Sequence, residues 1–199
     1  MDKFPVMEMF HSLQGEGYNS GMSSFFIRLG GCDVGCHWCD VKESWNAANH
    51  PNLSIEEIKT KINYPNIKNI VITGGEPCMY DLTELTNSLK QQEKYLMLET
   101  SGAYPIHGNF DWICVSPKKF KAPITEALTR ANELKIIVYN SSDFKWAEQF
   151  ADQVAGHCKL YLQPEYSKFN TIVNEMVDYI KINPQWRISL QTHKFMNIP

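Results

Sequence analysis

Short apolar segments recur along the chain and alternate with segments of helical periodicity. Residues 69–73 (Asn-Ile-Val-Ile-Thr) are rich in β-branched side chains and end at two glycines, which is typical of a buried strand. Residues 6–10 alternate apolar and polar positions, as a half-buried strand does. The predicted strands cover residues 6–10, 25–29, 69–73, 95–99, 112–115, 134–138, 159–162 and 187–190.

Helix signals lie between several of these strands. Ser54 and Glu57 have the spacing of a capping box, and the isoleucines behind Ser54 have the spacing of one helix face. Asp81 begins a second helix with a similar N-terminal capping pattern, and helical patterns cover residues 143–153 and 170–182. Strands that alternate with helices predict an α/β fold with a largely parallel sheet.

Seven or eight strands suit a partial barrel or an open sheet, and periodicity does not choose between them. In such sheets the reactive groups gather at the C-terminal ends of the strands. Glycines and polar residues follow five of the predicted strands, at residues 30–32, 73–76, 99–101, 116–118 and 163–164. We therefore expect a functional site at this edge of the sheet.

Composition excludes only a few classes of protein. A chain of 199 residues is expected to form one domain, residues 1–199, with a sizeable core. The net charge of −3, from 19 Lys+Arg and 22 Asp+Glu, disfavours non-specific nucleic-acid binding. No apolar run approaches the roughly 18–20 residues of a membrane span, and the N-terminus lacks a signal-peptide pattern. We expect a cytoplasmic protein with no nucleic-acid and no membrane partner.

Cysteine spacing points to a metal site. Cys32, Cys36 and Cys39 are spaced C-x3-C-x2-C directly after a predicted strand, while the other cysteines are single. Thiolates bind iron–sulfur clusters and zinc. Three thiolates on one loop can hold three corners of a cubane and leave its fourth iron open. The alternatives are a zinc loop completed by His37 or a remote cysteine, and a disulfide with one spare thiol.

This spacing, with Trp38 just before the third cysteine, resembles the motif of radical S-adenosylmethionine (SAM) enzymes. The resemblance implies a [4Fe-4S] cluster on the three cysteines that binds SAM and cleaves it reductively to a 5′-deoxyadenosyl radical. It also implies an incomplete TIM-like (β/α) barrel, truncated relative to the usual six βα units. Residues 74–77 (Gly-Gly-Glu-Pro) resemble the segment that contacts the SAM methionine; alone they are a tight turn, and Glu76 alone is a solvated loop carboxylate.

Further segments resemble one family, the 7-carboxy-7-deazaguanine synthases. The opening Leu-Gln-Gly-Glu-Gly at residues 13–17 and the closing Gln-Thr-His-Lys at 191–194 discriminate most, because other radical SAM enzymes lack them. The resemblance also covers Arg28 and the segments 99–102, 116–118, 163–166 and 195–199, so it extends over essentially the whole chain. Taken singly, 116–118 and 163–166 are ordinary proline-containing loops.

The family resemblance implies a set of binding residues. SAM is expected to contact His37, Trp38, Gly75, Ser116, Pro117, Lys118, Gln163, Pro164, Glu165 and Tyr166. The substrate, 6-carboxy-5,6,7,8-tetrahydropterin, is expected to contact Leu13, Gln14, Gly15, Glu16, Arg28, Thr73, His193 and Pro199. No side chain is expected to act as an acid or base, because the radical comes from SAM.

Two of these residues have ordinary alternatives. The planar guanidinium of Arg28 suits a substrate carboxylate. Its alternative is a surface ion pair, which the apolar neighbours Ile27 and Leu29 disfavour. His193 is nearly as well explained as a packed, hydrogen-bonded histidine.

One position departs from the family pattern. Relatives commonly have Cys-Asp-Thr, whose threonine binds a substrate-bound Mg²⁺, whereas this chain has Cys39-Asp40-Val41. Valine has no oxygen, and Mg²⁺ requires oxygen ligands. Asp40 or Glu43 substitutes, or water and substrate alone hold the ion, or the enzyme works without it.

The implied activity is conversion of the carboxy-pterin to 7-carboxy-7-deazaguanine with loss of ammonia, in queuosine and 7-deazapurine biosynthesis. The implied partners are an electron donor such as flavodoxin or ferredoxin and a second copy in a homodimer. One alternative is a glycyl-radical activating enzyme, which shares the cysteine spacing and small size. The other is a metal-loop interaction module without enzymatic activity.

Overall fold

The computed structural model describes residues 3–62, 64 and 66–199. Within them a nine-stranded sheet runs in the order β3-β1-β2-β4-β5-β6-β7-β8-β9. The strands are β1 (Lys3–Leu13), β2 (Ser23–Leu29), β3 (Asn52–Ser54), β4 (Asn69–Gly74), β5 (Tyr95–Thr100), β6 (Trp112–Val115), β7 (Glu133–Val138), β8 (Lys159–Pro164) and β9 (Trp186–Ile188). The eight predicted strands are confirmed, and the ninth is the short edge strand β3.

Helices connect most of the parallel strands. They are α1 (Ile55–Lys61), α2 (Thr83–Lys90), α3 (Thr125–Arg130), α4 (Ser142–Ala151), α5 (Phe169–Ile182) and α6 (Thr192–Met196). The predicted capping box of Ser54 and Glu57 is present at α1. At α2 the Asp81 carboxylate accepts from the Thr83 amide at 2.9 Å, although Leu82 occupies the cap position. Within the described residues, no helix combines the length and apolar character needed to cross a bilayer.

The sheet is parallel from β2 to β9, and the N-terminal strand β1 pairs antiparallel with both β2 and β3. Because β1 opposes β2, the 14–22 loop leaves the sheet at the N-terminal ends of the parallel strands. This loop crosses toward the far side of the sheet, where the Gly17 amide donates to Ser189 Oγ at 2.9 Å. The predicted incomplete (β/α) barrel is confirmed as an open, barrel-like sheet.

The two faces of the sheet differ in polarity. On β2, Ile27 and Leu29 are fully buried in the main core under the helices, where each contributes roughly 1.5–3 kcal/mol by burial. The intervening Phe26 packs with Val71 and Met97 in a small apolar cluster on the opposite, inner face. Further along, the inner face carries polar side chains, so the inside of the barrel has an apolar part followed by a polar cavity.

Candidate active site

One cavity of about 310 Å³ lies inside the barrel-like sheet, where the C-terminal ends of the parallel strands and the start of the 14–22 loop both line it. It brings together most residues that the sequence marks as candidates. These are Leu13, Gln14, Gly15, Glu16, Arg28, Cys32, Cys36, Trp38, Cys39, Asp40, Thr73, Gly75, Ser116, Lys118, Gln163, Pro164, Glu165, Tyr166, His193 and Pro199. His37 and Pro117 line an adjoining cavity of about 320 Å³ instead. Trp38 and Ile137 line both cavities.

The three cysteines project from one irregular loop after β2. The loop is fixed by main-chain hydrogen bonds from Cys32 N to Trp45 O at 3.1 Å and from Cys39 N to Cys36 O at 3.0 Å. None of the three forms a disulfide. Burial raises the pKa of the Cys32 and Cys36 thiols, and bound iron would oppose this by favouring the thiolates.

This donor set fits a [4Fe-4S] cluster. Three free thiols line a single cavity, and a cubane takes one thiolate per iron rather than several on one ion. Across the described ranges, no group of three or more histidine, cysteine or acidic side chains is arranged to hold one metal ion. The predicted disulfide alternative is wrong, because all six cysteines are free.

The two glycines after β4 allow close backbone contact with the cysteine loop. A Cβ atom on Gly75 would lie 2.4 Å from the Gly31 carbonyl oxygen and 2.7 Å from Cys32 Cβ. The Gly75 amide donates to Leu29 O at 2.9 Å, and the next amide donates to Gly31 O at 2.8 Å. The glycine pair therefore holds the start of the cysteine loop against the end of β4.

A Gly75→Ala substitution is therefore expected to displace the start of the cysteine loop and lower the free energy of unfolding by about 1–3 kcal/mol. Thermal and urea unfolding of the purified protein measure the loss. Gly156→Ala is the matched control, because a Cβ there meets nothing within 4 Å. Equal stability of the two variants would show that the close approach has no energetic consequence.

Glu76 is a buried structural carboxylate, and its interpretation as a solvated loop acid is wrong. It is 1% exposed. Its oxygens accept from Thr100 Oγ1 at 2.6 Å, from the Ser101 amide at 2.8 Å and from the Cys78 amide at 3.0 Å. These bonds join the end of β4 to the end of β5, so Glu76 fixes two walls of the cavity relative to each other.

A buried ion triad lies in the cavity wall. The Lys135 ammonium lies 2.6 Å from Glu16 Oε2 and 2.9 Å from Glu99 Oε2, and Lys135 is 3% exposed. Burial raises the pKa of Glu16, but the Lys135 charge and hydrogen bonds outweigh burial and lower it to about 2. For Lys135, burial lowers the pKa and the surrounding acidic groups raise it well above its ordinary value. Glu16 and Lys135 are therefore both charged at neutral pH.

Lys135 was not among the predicted site residues, although the sequence carries a signal for it. The segment 133–138 reads Glu-Leu-Lys-Ile-Ile-Val, with charged residues at two alternate positions of an apolar strand. In the structure Leu134, Ile136 and Val138 pack in the main core. Lys135 therefore belongs to the inner face by the two-residue period of a strand.

Arg28 forms the ion pair that the sequence interpretation disfavoured. Its Nε donates to Glu8 Oε1 at 2.6 Å, and the two side chains are 20% and 43% exposed. The pair exists because the β1–β2 register places Glu8 directly opposite Arg28. The two terminal guanidinium nitrogens hydrogen-bond to no residue in the described part of the chain, and Arg28 lines the cavity.

The C-terminal segment, residues 191–199, closes one side of the cavity. Gly15 packs on the His193 ring, since a Cβ there would lie 2.1 Å from His193 Nδ1. Burial lowers the pKa of His193. Lys194 Nζ lies 2.9 Å from Asp40 Oδ2, and Gln191 Nε2 donates to Glu16 at 2.8 Å. The segment thus contacts both the cysteine loop and the 14–22 loop.

The ends of β6 and β8 supply the remaining wall. The Lys118 ammonium donates to the main-chain and side-chain oxygens of Ser116 at 2.5 and 2.6 Å, and burial lowers its pKa. Gln163 is 2% exposed and accepts from Ser189 Oγ at 2.6 Å. Lys194 lies over the Tyr166 ring at 4.7 Å. The cavity is consequently rich in hydrogen-bonding groups that are already oriented.

Comparison with known proteins agrees with this geometry. Residues 26–138 match the radical SAM superfamily, so the chain belongs to that class of proteins. The 7-carboxy-7-deazaguanine synthase of Flavobacterium psychrophilum is 52% identical over all of this chain and 94% of its own length. That of Synechocystis is 48% identical over 98% of this chain and 93% of its own. The chain therefore belongs to the 7-carboxy-7-deazaguanine synthase family.

A solved structure supports the same assignment. The crystal structure of QueE from Escherichia coli is similar with a TM-score of 0.84 and 32% sequence identity. The similarity covers 96% of this chain and 95% of that one. These findings confirm the predicted family and do not favour the glycyl-radical activating enzyme or the non-enzymatic module.

Proposed function

We propose that the protein converts 6-carboxy-5,6,7,8-tetrahydropterin to 7-carboxy-7-deazaguanine with loss of ammonia. The observation that carries the proposal is the shared cavity of the cysteine loop, the 13–17 segment and the 191–194 segment. The first belongs to radical SAM enzymes in general, and the other two resemble the synthase family in particular. The full-length similarity to two named synthases supports the same activity.

The cofactors follow from the superfamily, which uses a [4Fe-4S] cluster and SAM. Cys32, Cys36 and Cys39 would hold the cluster, and when bound it supplies, with SAM, the radical that starts the reaction. The protein contributes binding, orientation and exclusion of water. No side chain of the cavity acts as a nucleophile in this proposal.

We assign SAM binding to the walls nearest the cysteine loop. Gly75 lines the cavity beside Cys32, and the close backbone approach there excludes a side chain. Ser116, Lys118 and the residues 163–166 face the same cavity and offer oriented polar groups. His37, Trp38 and Pro117 line the adjoining cavity, whose aromatic walls suit the adenosyl part of SAM.

We assign pterin binding to the opposite wall. The terminal nitrogens of Arg28, which hydrogen-bond to no described residue, suit the substrate carboxylate. Gln14 and Thr73 offer hydrogen-bonding groups for the pterin edge, with Leu13, Gly15, Glu16 and His193 beside them. Pro199 lines the cavity too, and its main-chain oxygen accepts from Ser12 Oγ at 2.9 Å.

Anaerobic incubation of the reconstituted protein with the carboxy-pterin, SAM and a reductant tests the function. The expected product is the deazaguanine, detected by mass. A protein that instead forms a radical on a polypeptide and leaves the pterin unchanged would favour the activating-enzyme alternative. Zinc without inorganic sulfide in the anaerobically purified protein would favour the non-enzymatic module.

Mg²⁺ is expected to stimulate this enzyme weakly or not at all. Val41 offers no oxygen, and Asp40 is already paired with Lys194 at 2.9 Å. Turnover with and without Mg²⁺, after chelation, measures the effect. Val41→Thr serves as the matched variant and should gain a larger Mg²⁺ response. A strict Mg²⁺ requirement in the unmodified protein would contradict this prediction.

We further propose a low-potential electron donor such as flavodoxin or ferredoxin, a homodimeric state and a cytoplasmic location. The free cysteines fit a reducing compartment. Turnover with candidate donors in place of a chemical reductant, and sedimentation of the purified protein, test the first two.

A further inference from the structure

Glu133 is a buried carboxylate that none of the assigned roles uses. It is the first residue of β7 and is 2% exposed. Its Oε2 accepts from the Tyr18 amide and from Trp112 Nε1, both at 3.1 Å. Its Oε1 is buried and has no hydrogen-bond partner among the described residues. Such a group is costly to bury, so its retention calls for a physical explanation.

The 14–22 loop is shaped around this carboxylate. A Cβ atom on Gly17 would lie 1.9 Å from Glu133 Oε1, so a side chain there would clash with the carboxylate. Gly17 also has a φ of +65°, a backbone conformation that favours glycine. The Gly17 amide donates to Ser189 Oγ at 2.9 Å. The Tyr18 ring stacks on Trp112 at 4.7 Å between centroids. The turn at residues 17–18 is therefore held between β6, β7 and the segment after β9.

The same loop carries cavity residues immediately before this turn. Gln14 Nε2 donates to Glu99 Oε1 at 3.3 Å, and the Glu16 carboxylate meets Lys135 at 2.6 Å. The Glu16 amide donates to Gln14 Oε1 at 3.1 Å, which links the two residues. Any displacement of Gly17 is thus transmitted to Glu16 by one peptide unit and to Gln14 by this hydrogen bond.

We propose that Glu133 is a positioning residue of the active site, which seats the turn at residues 17–18 and thereby fixes Gln14 and Glu16 in the substrate cavity. The expected effect on KM rests on the proposed function. The expected effect on the order of the 14–22 loop does not depend on any substrate. Glu133 itself does not line the cavity. It acts through the backbone of the loop.

The charges around Glu133 make a glutamine a mild electrostatic change. Burial raises the pKa of Glu133 to about 7, while the Lys135 charge opposes the rise and Glu99 adds to it. Cys114 and Cys158 are the other titratable groups that interact with it, and burial keeps both thiols protonated at neutral pH. Glu133→Gln therefore tests hydrogen-bond geometry more than net charge. An amide nitrogen in place of Oε2 cannot accept from the Tyr18 amide or from Trp112 Nε1. An amide nitrogen in place of Oε1 lies close to Gly17, at a position without a hydrogen-bond partner among the described residues.

Amide hydrogen exchange and steady-state kinetics of Glu133→Gln test the proposal. We expect at least tenfold faster exchange in peptides covering the 14–22 loop. The KM for the carboxy-pterin should rise about tenfold while kcat changes less. Glu148→Gln is the matched control, because Glu148 accepts from the Trp186 indole at 2.7 Å and from the Tyr179 hydroxyl, and hydrogen-bonds to no described residue of this loop. It should lose stability without either effect.

Trp112→Phe provides a second variant that keeps the carboxylate and the ring stacking but removes one hydrogen bond. It should show a smaller increase in exchange within the same loop, even if Glu133→Gln does not fold. The proposal would be overturned if amide exchange in the 14–22 loop of both variants matched that of the unmodified protein. It would also be overturned if Glu133→Gln showed the exchange rates and the KM of the unmodified protein. If the unmodified protein leaves the pterin unchanged, the proposed function fails, and the exchange measurement still decides the role of Glu133.

Discussion

Replacing Cys36 by alanine is expected to abolish both iron–sulfur cluster binding and turnover. Each cysteine of the loop would hold one iron of the cubane, and two thiolates are a poor anchor for it. Since the proposed mechanism has no side chain acting as acid, base or nucleophile, no residual chemistry remains without the cluster. The measurements are iron and sulfide per chain after anaerobic reconstitution, the visible absorbance, and product formed from the carboxy-pterin.

Cys158→Ala is the control for this prediction. Cys158 is also a free, buried thiol, but it lies outside the cavity. Burial raises the pKa of its thiol to about 12, which disfavours the thiolate that a metal needs. The control should bind iron and turn over normally. A Cys36→Ala protein with full iron content and activity would mean that the cluster has other ligands.

The sequence predicted the strands well for a physical reason. Parallel strands buried under helices read as nearly continuous apolar runs, as in residues 69–73 and 95–99, and such runs are visible without an alignment. The three-residue β3 has no pattern long enough to detect. The strand order joins segments far apart in the chain, such as β1 between β2 and β3. Local periodicity carries no information about such pairings.

The site was predictable where it is local and not where it depends on register. The cysteines act together because they share one loop, so spacing alone identified them. The pair of Arg28 with Glu8 depends on the β1–β2 register, which no sequence pattern reveals. The same holds for Glu76, whose partners Thr100 and Ser101 lie at the end of the neighbouring strand β5 and directly after it. Lys135 had a usable signal, a lysine inside an apolar strand, because such a charge must find partners when buried.

Replacing Lys135 by methionine is expected to destabilise the fold by about 3–5 kcal/mol at pH 7 and to reduce turnover strongly. The substitution removes the cation that lies 2.6 Å from Glu16 and 2.9 Å from Glu99, and it leaves two carboxylates without their charge partner. Turnover should fall because Glu16 then moves toward water. Urea unfolding and the anaerobic assay measure the two effects. Lys181→Met is the control, because its pair with Asp178 is 69% and 73% exposed and contributes at most about 1 kcal/mol.

The pH dependence of this loss has a definite sign. Lys135 and the hydrogen bonds lower the pKa of Glu16 to about 2 from its ordinary 4.5. This carboxylate therefore stabilises the folded protein above pH 4.5, and the contribution disappears as the pH falls toward 2. The stability deficit of Lys135→Met should accordingly be largest at neutral pH and shrink in acid. Adding Glu16→Gln to Lys135→Met removes one of the two carboxylates that have lost their charge partner and should restore part of the stability. A deficit that is independent of pH and of Glu16 would assign the loss to packing rather than to the ion triad.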